Sequence, residues 1–179
     1  MMTRLKRLLA GARGSEIAEA ALVFPIAFLI LLSIYWFGRA FNVYATINHA
    51  AREGARYAVS QSCASCGNAP PSVTDVAKQV KQALQAAHLD PSSVTPGTTV
   101  HTACPGQTMT CTTPASPQIK YCTNVQLVPP PLNLPAASGT PPCGVSIDFR
   151  YPYQMFLPGT SLNKKQFQLS AHVQMRAEQ

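Results

Sequence analysis

The residues that could carry chemistry are few and unevenly placed. The six cysteines are Cys63, Cys66, Cys104, Cys111, Cys122 and Cys143. Cys63-Ala64-Ser65-Cys66 raises two chemistries, since a CxxC pair can exchange electrons or supply two thiolates to zinc. A redox CxxC opens a helix in a thioredoxin-like βαβ unit, and no such pattern follows it. Zinc needs a second ligand pair at suitable spacing. His49, His88, His101 and His172 are widely separated, and Cys104 and Cys111 do not repeat the motif. No metal or cofactor is therefore expected, and the cysteines read as disulfides formed in an oxidising compartment. The acids Glu53, Asp75, Asp90, Asp148 and Glu178 form no pair spaced for general acid–base work. No GxSxG, HExxH or phosphate loop occurs, so an enzyme is not expected. Two carboxylates stand apart. Glu16 and Glu19 precede a long uncharged run, Glu19 directly against it. A carboxylate there is costly to bury unless it is paired.

That run is the element that must position them. From Ala20 to Phe37 no residue is charged, and about 20 apolar residues cross a bilayer as a helix. The run is apolar all round, unlike a soluble core helix with one polar face. Tyr35 and Trp36 sit at its far edge, where aromatic rings favour the membrane–water interface. Pro25 lies inside it, which membrane helices tolerate better than soluble ones. Arg4, Lys6, Arg7 and Arg13 precede it, which keeps the N-terminus cytoplasmic and sends Arg39 onward outside. A cleaved signal would be shorter and end at a small-x-small site. The net charge of +7 could suggest nucleic acid. The basic residues form no stripe interleaved with aromatics, so nucleic-acid binding is not expected.

Gly14-Ser15-Glu16-Ile17-Ala18-Glu19, followed by the apolar helix, resembles the processing site of type IV prepilins. More specifically, the run from Arg13 to Val59 is similar to TadE-like minor pilins of the tight-adherence (Tad, Flp-type) pilus system. The shared features are Arg13-Gly14, Glu19, Pro25, Phe37-Gly38-Arg39 and Ala50-Ala51-Arg52-Glu53-Gly54-Ala55-Arg56. The C-terminal part is similar in outline. It has a strand carrying Tyr151-Pro152-Tyr153, then Leu157-Pro158-Gly159, then a final strand ending near Arg176 and Glu178. Ala20 stands where major Flp pilins carry tyrosine, which argues against the bulk pilin.

The resemblance implies a leader over residues 1–14 that a prepilin peptidase removes after Gly14. Ser15 then supplies a new α-amine, and Glu19 is the fifth mature residue. Cutting after Gly11 would instead make Glu16 the fifth. The resemblance further implies that the Glu19 carboxylate meets the Ser15 amine of a neighbouring subunit and so sets the filament register. The partners it implies are other pilins, the Tad inner-membrane assembly platform and the lipid bilayer. The implied place is the bacterial inner membrane, with the C-terminal domain periplasmic or extracellular. The implied role is assembly or initiation of a pilus used in adhesion or secretion. The alternatives are a signal-anchored periplasmic scaffold that never polymerises and a secreted domain with a cleaved signal.

The expected fold is α+β: a long helix over residues 15–59, membrane-spanning over about 20–38, packed on a small disulfide-stapled antiparallel sheet. Val43, Ile47, Ala50, Ala51, Gly54, Ala55 and Ala58 recur at helical spacing and predict a packing face, with Arg52, Glu53 and Arg56 opposite. In the domain over residues 60–179, the spacing predicts a helix at 72–88. Ser72 or Thr74 caps it, and Val76, Val80, Leu84 and Ala87 form one face. Alternation predicts strands at 98–103, 119–128, 145–151 and 167–175. The third sets Val145, Ile147, Phe149 and Tyr151 against Ser146, Asp148 and Arg150. Residues 104–122 and the proline-rich 129–142 read as loops, exposed for contact or stapled against proteolysis. Nearest-neighbour pairings such as Cys104–Cys111 and Cys122–Cys143 would staple them.

Overall fold

The computed structural model describes residues 12–60, 71–127, 142–155 and 166–176. Cys63 and Cys66, most of the proline-rich loop and Leu157-Pro158-Gly159 lie outside the described residues. Two compact units are present, Met1–Phe41 and Asn42–Gln179. One helix, α1 (Ala12–Ser60), contributes to both, with Pro25 inside it.

In the second unit, the predicted face of α1 is the buried face. Ile47, Ala50, Ala51 and Ala55 are fully buried, and Val43, Gly54 and Ala58 are buried with them. The small residues let neighbours approach the helix backbone. A methyl placed on Gly54 would stand 2.5 Å from Val80 Cγ2 and 3.0 Å from Ile147 Cδ1. Gly54 is thus the point where helix α2 (Val73–Ala86) and the central strand meet α1. Glycine costs a helix about 1 kcal/mol against alanine, while overpacking costs about 1–3 kcal/mol. Gly54→Ala is expected to lower stability by about 1 kcal/mol net, because the contact outweighs the propensity gain. A thermal melt of the purified variant checks this.

Ser72 caps α2 by accepting from the Asp75 backbone N–H, and Asp75 lies in the first turn where the helix dipole favours a negative charge. Val76, Ala77, Val80 and Leu84 are its buried stripe. Ala87, expected on that stripe, is exposed because it is the C-cap, followed by His88 with φ of 58°. Asp90 then caps a short 3-10 turn, Pro91–Ser93, through Ser92 N–H.

Five antiparallel strands follow: β1 (Thr95–Pro96), β2 (Thr110–Thr112), β3 (Lys120–Gln126), β4 (Cys143–Gln154) and β5 (Gln166–Arg176). β4 is the centre. One side of it pairs with β5 along its length. The other side pairs with β3 over its first half and with β1 beyond. β2 flanks β3.

Three sequence expectations are corrected. No strand forms over 98–103, only an isolated bridge between Ala103 and Val125. The reason is local. Gly97 N–H donates to the Asp148 backbone carbonyl at 3.3 Å, and Thr99 N–H donates to Asp148 Oδ2 at 2.8 Å. Gly97 thus still follows the backbone of β4, but the Thr99 donor, spent on a side chain, does not extend the ladder. Second, β3 does not alternate strictly. Its register to β4 shifts between Cys122 and Val125, with Asn124 at φ of 56°. An extra residue there leaves both Cys122 and Val125 buried. Third, Thr110–Thr112 is a strand where the composition reads as loop.

Candidate functional site

The stretch Gly14–Glu19 lies at the start of α1. Gly14 and Ser15 are already helical. Glu19 is one helical turn beyond position 15, and it is exposed. Beyond it the apolar run is bare within its own unit. Leu22 is 68% exposed, Phe24 75% and Phe37 70%. Among the described residues α1 is the one helix long and apolar enough to cross a membrane, with a mean hydropathy of 2.5 over its best window and none of that window buried. A soluble core helix would be covered. This helix anchors the chain in a membrane. Two details fit that medium. The Ser33 hydroxyl donates to the Leu29 carbonyl at 2.8 Å, which satisfies it inside the helix. The Arg39 guanidinium lies 5.8 Å over the Trp36 ring, at the aromatic end of the run.

The helix thus puts one carboxylate where water gives way to apolar surface. Nothing in this geometry makes a nucleophile or an acid–base pair. What it can do is electrostatic. Once the apolar face is covered, Glu19 must find a cation.

A second polar cluster was not visible in the sequence. Both faces of β4 are buried from Gly144 to Phe149. Ser146 is wholly buried, and Asp148 is 2% exposed. The segment from Gly97 to Cys104 covers them. A Cβ on Gly97 would collide with the Asp148 carboxyl, so only glycine lets the chain lie on it. Lys120 Nζ donates to the Thr99 carbonyl at 2.7 Å. His101 and His172 stack with centroids 5.4 Å apart, and their Nε2 atoms lie 3.3 and 3.4 Å from Ser146 Oγ. The only sequence sign was the polar set at alternate positions of β4.

Serine, histidine and aspartate together invite comparison with a hydrolase triad. The arrangement does not make one. Ser146 has no access to solvent, and the Asp148 carboxylate accepts from Thr99 N–H rather than from an imidazole. The cluster instead clamps the covering segment to the sheet. Its pH response has a definite sign. Burial is the main cause holding His101 below its ordinary value of 6.5, the positive charges of His172 and Lys120 add to it, and Asp148 opposes. The unfolded chain therefore takes up a proton at His101 before the folded chain does. Stability should be full above pH 6.5 and decline as pH falls toward the folded value. His101→Gln should flatten that slope, as chemical denaturation across this range would measure.

Two disulfides complete the domain among the described residues, and neither of the expected pairings, Cys104–Cys111 or Cys122–Cys143, is one of them. Cys111–Cys122 joins directly opposed residues of β2 and β3, with Cα atoms 4.1 Å apart. Cys104–Cys143 has Cα atoms 6.0 Å apart. Cys104 N–H donates to the Asn124 carbonyl, which places Cys104 beside the end of β3, where Gln126 opposes Cys143. Strand register brings these cysteines together, which sequence distance does not reveal.

No curated protein and no solved structure matches the chain. One family model does match, described as "TadE-like protein", over residues 14–56. Its span starts at Gly14, runs through Glu19 and Pro25, and ends at Arg56 in the packed part of α1. Over residues 14–56, the whole of the bare apolar helix and most of its buried continuation, this chain is similar to TadE-like proteins.

Proposed function

We propose that the chain is a minor pilin or pseudopilin. A prepilin peptidase cuts it after Gly14, and the product takes part in assembling or initiating a Tad-type pilus used in adhesion or secretion. The observation that carries this reading is Glu19. It is exposed at the water-side end of an uncovered apolar helix, five residues past Gly14, within the TadE-like match. An anchor alone has no need of a carboxylate there. A filament whose apolar helices pack together does, because the charge is compensated only when a neighbour's Ser15 amine lies opposite it. The four basic residues before the apolar run support a cytoplasmic N-terminus and a C-terminal domain across the inner membrane. The two disulfides support an oxidising compartment for that domain. The partners in this reading are the peptidase, other pilins, the inner-membrane assembly platform and lipid.

Mass spectrometry of the mature protein tests it. The expected product begins at Ser15 in cells with the peptidase and at Met1 in cells without it. A start at Ala12 would transfer the role to Glu16. An uncut chain in the presence of the peptidase would favour a non-polymerising anchored scaffold. A start beyond Phe37 would mean a secreted domain.

A further inference from the structure

Between Pro96 and Cys104 the chain crosses the buried polar row of β4 as a strap. Both of its ends are fixed by the fold. Thr95 and Pro96 pair with β4, and Val94 just before them is buried. Cys104 is buried and joined to Cys143. The middle is held differently. Val100 is 90% exposed and Ala103 is exposed, so residues 98–103 bury no apolar side chain. Among the described residues, what holds them is a set of hydrogen bonds and one ring stack. Thr99 N–H donates to Asp148 Oδ2, and Lys120 Nζ donates to the Thr99 carbonyl. Gln126 N–H donates to the Thr102 carbonyl at 2.8 Å, and His101 meets Ser146 and His172. A segment with so little apolar burial opens locally before the domain unfolds.

The histidine contact depends on a count of hydrogens. Ser146 Oγ carries one hydrogen and lies 3.3 and 3.4 Å from the two Nε2 atoms. A neutral pair makes both bonds by holding opposite tautomers: one Nε2–H donates to Oγ, and the hydroxyl donates to the other, bare Nε2. One added proton leaves this pattern intact, because it enters at an Nδ1 atom. A second must occupy the accepting Nε2. Both rings then donate to Oγ, and the buried hydroxyl loses its acceptor. Two cations also stand stacked with centroids 5.4 Å apart. Among the described residues, the ionisable groups facing His101 are His172 from β5, Lys120 from β3 and Asp148 from β4. Asp148 lies opposite Lys120 on one side and His172 on the other. Its one negative charge is set against Lys120 and the first imidazolium, and no further anion among these groups balances the second.

We propose that residues 98–103 form a proton-operated latch: the His101–His172 pair holds them shut with one proton or none, and entry of the second opens them while the rest of the domain stays folded. Opening uncovers Ser146 and Asp148 and leaves both ends of the strap pinned, so the change is local and reversible. The lowering of His101 by burial, with His172 and Lys120 adding to it, has the matching sign. Once open, the strap's histidine titrates near its ordinary 6.5, whereas the closed strap accepts the second proton only at lower pH. The closed form is therefore full above that ordinary value and gives way as pH falls below it. The latch places the acid response in one segment and in two residues acting together.

Hydrogen–deuterium exchange of the full-length chain in lipid nanodiscs tests this, with protection corrected for the intrinsic pH dependence of exchange. From about pH 7 to about pH 5 the Thr99 amide should lose protection about tenfold or more, since each linked proton shifts the equilibrium by up to about tenfold per pH unit. The amides that pair β4 with β5 should keep theirs. His101→Gln and His172→Gln should each remove most of the loss, because a single remaining histidine protonates without leaving the hydroxyl unpaired. Glutamine still offers Ser146 a donor and an acceptor. His172 is exposed, and melting of each variant at neutral pH checks that the fold is kept. The wild-type profile stands without either variant. A full acid response in His172→Gln would reduce the effect to the burial of His101 alone and overturn the proposal. So would Thr99 protection that stays flat across the range, or protection in β4 and β5 that falls along with it.

Discussion

Glu19→Val abolishes piliation while membrane insertion and folding are retained: this is the result expected if the carboxylate sets subunit register. Glu19 is exposed in the isolated chain, so its loss removes no packing. Valine adds apolar surface to a helix that already spans, so insertion does not suffer. The penalty falls on the assembled state. With the carboxylate gone, a neighbour's Ser15 amine is left unpaired in an apolar surrounding, a loss of about 3–5 kcal/mol per contact. Repeated along a filament, that loss is prohibitive. Electron microscopy of cells, with membrane fractionation as the control, reads both halves. Glu19→Asp, which keeps the charge on a shorter stem, should restore part of the piliation. Normal pili on Glu19→Val cells would sink the register argument, whatever the mature N-terminus proves to be.

The second large effect belongs to the disulfides. Cys104–Cys143 closes a sequence separation of 39 residues and Cys111–Cys122 one of 11. On the chain-entropy account the longer closure stabilises by about 4 kcal/mol and the shorter by about 3 kcal/mol. Domains of this size are commonly stable by only about 5–15 kcal/mol. Replacing both Cys104 and Cys143 by alanine should therefore lower the melting temperature sharply and leave the domain open to protease. The Cys111/Cys122 double replacement should do the same more mildly, because β2 is short and carries little of the core. The reverse order of severity, measured by urea denaturation of the two variants, would show that the strand pairing rather than the loop closure carries the stability.

The two kinds of feature in this chain were not equally legible. The buried face of α1 could be read residue by residue, from Val43 to Ala58, because helical packing repeats every three or four positions within one segment. The Ser72 cap and the alternation of β4 and β5 were legible for the same reason. The resemblance of the stretch from Gly14 onward could be read because its features are local in sequence. The failures were non-local. The bulge at Asn124, the pairing of Cys111 with Cys122 and the burial of Asp148 under Gly97 all depend on which strand lies beside which. Nothing in the polar spacing of Ser146 and Asp148 announced that a second layer of chain would cover them. The strand over 98–103 failed because a side-chain carboxylate competed for the backbone donors, which no periodicity reports.

The connectivity of the disulfides has a consequence in time. The Cys111–Cys122 link is nested inside Cys104–Cys143. A chain delivered across a membrane with its N-terminus behind presents its cysteines in sequence order. Cys104 arrives first of the four and its native partner last, separated by the whole of β3 and the stretch beyond it. During that interval Cys111 is the nearest thiol, and the pairing it offers is wrong. Correct maturation therefore requires either that Cys104 is kept reduced until Cys143 emerges or that a premature bond is reshuffled by thiol–disulfide exchange. On the pilin reading, the supply of folded subunits would then be paced by thiol–disulfide exchange rather than by the membrane machinery.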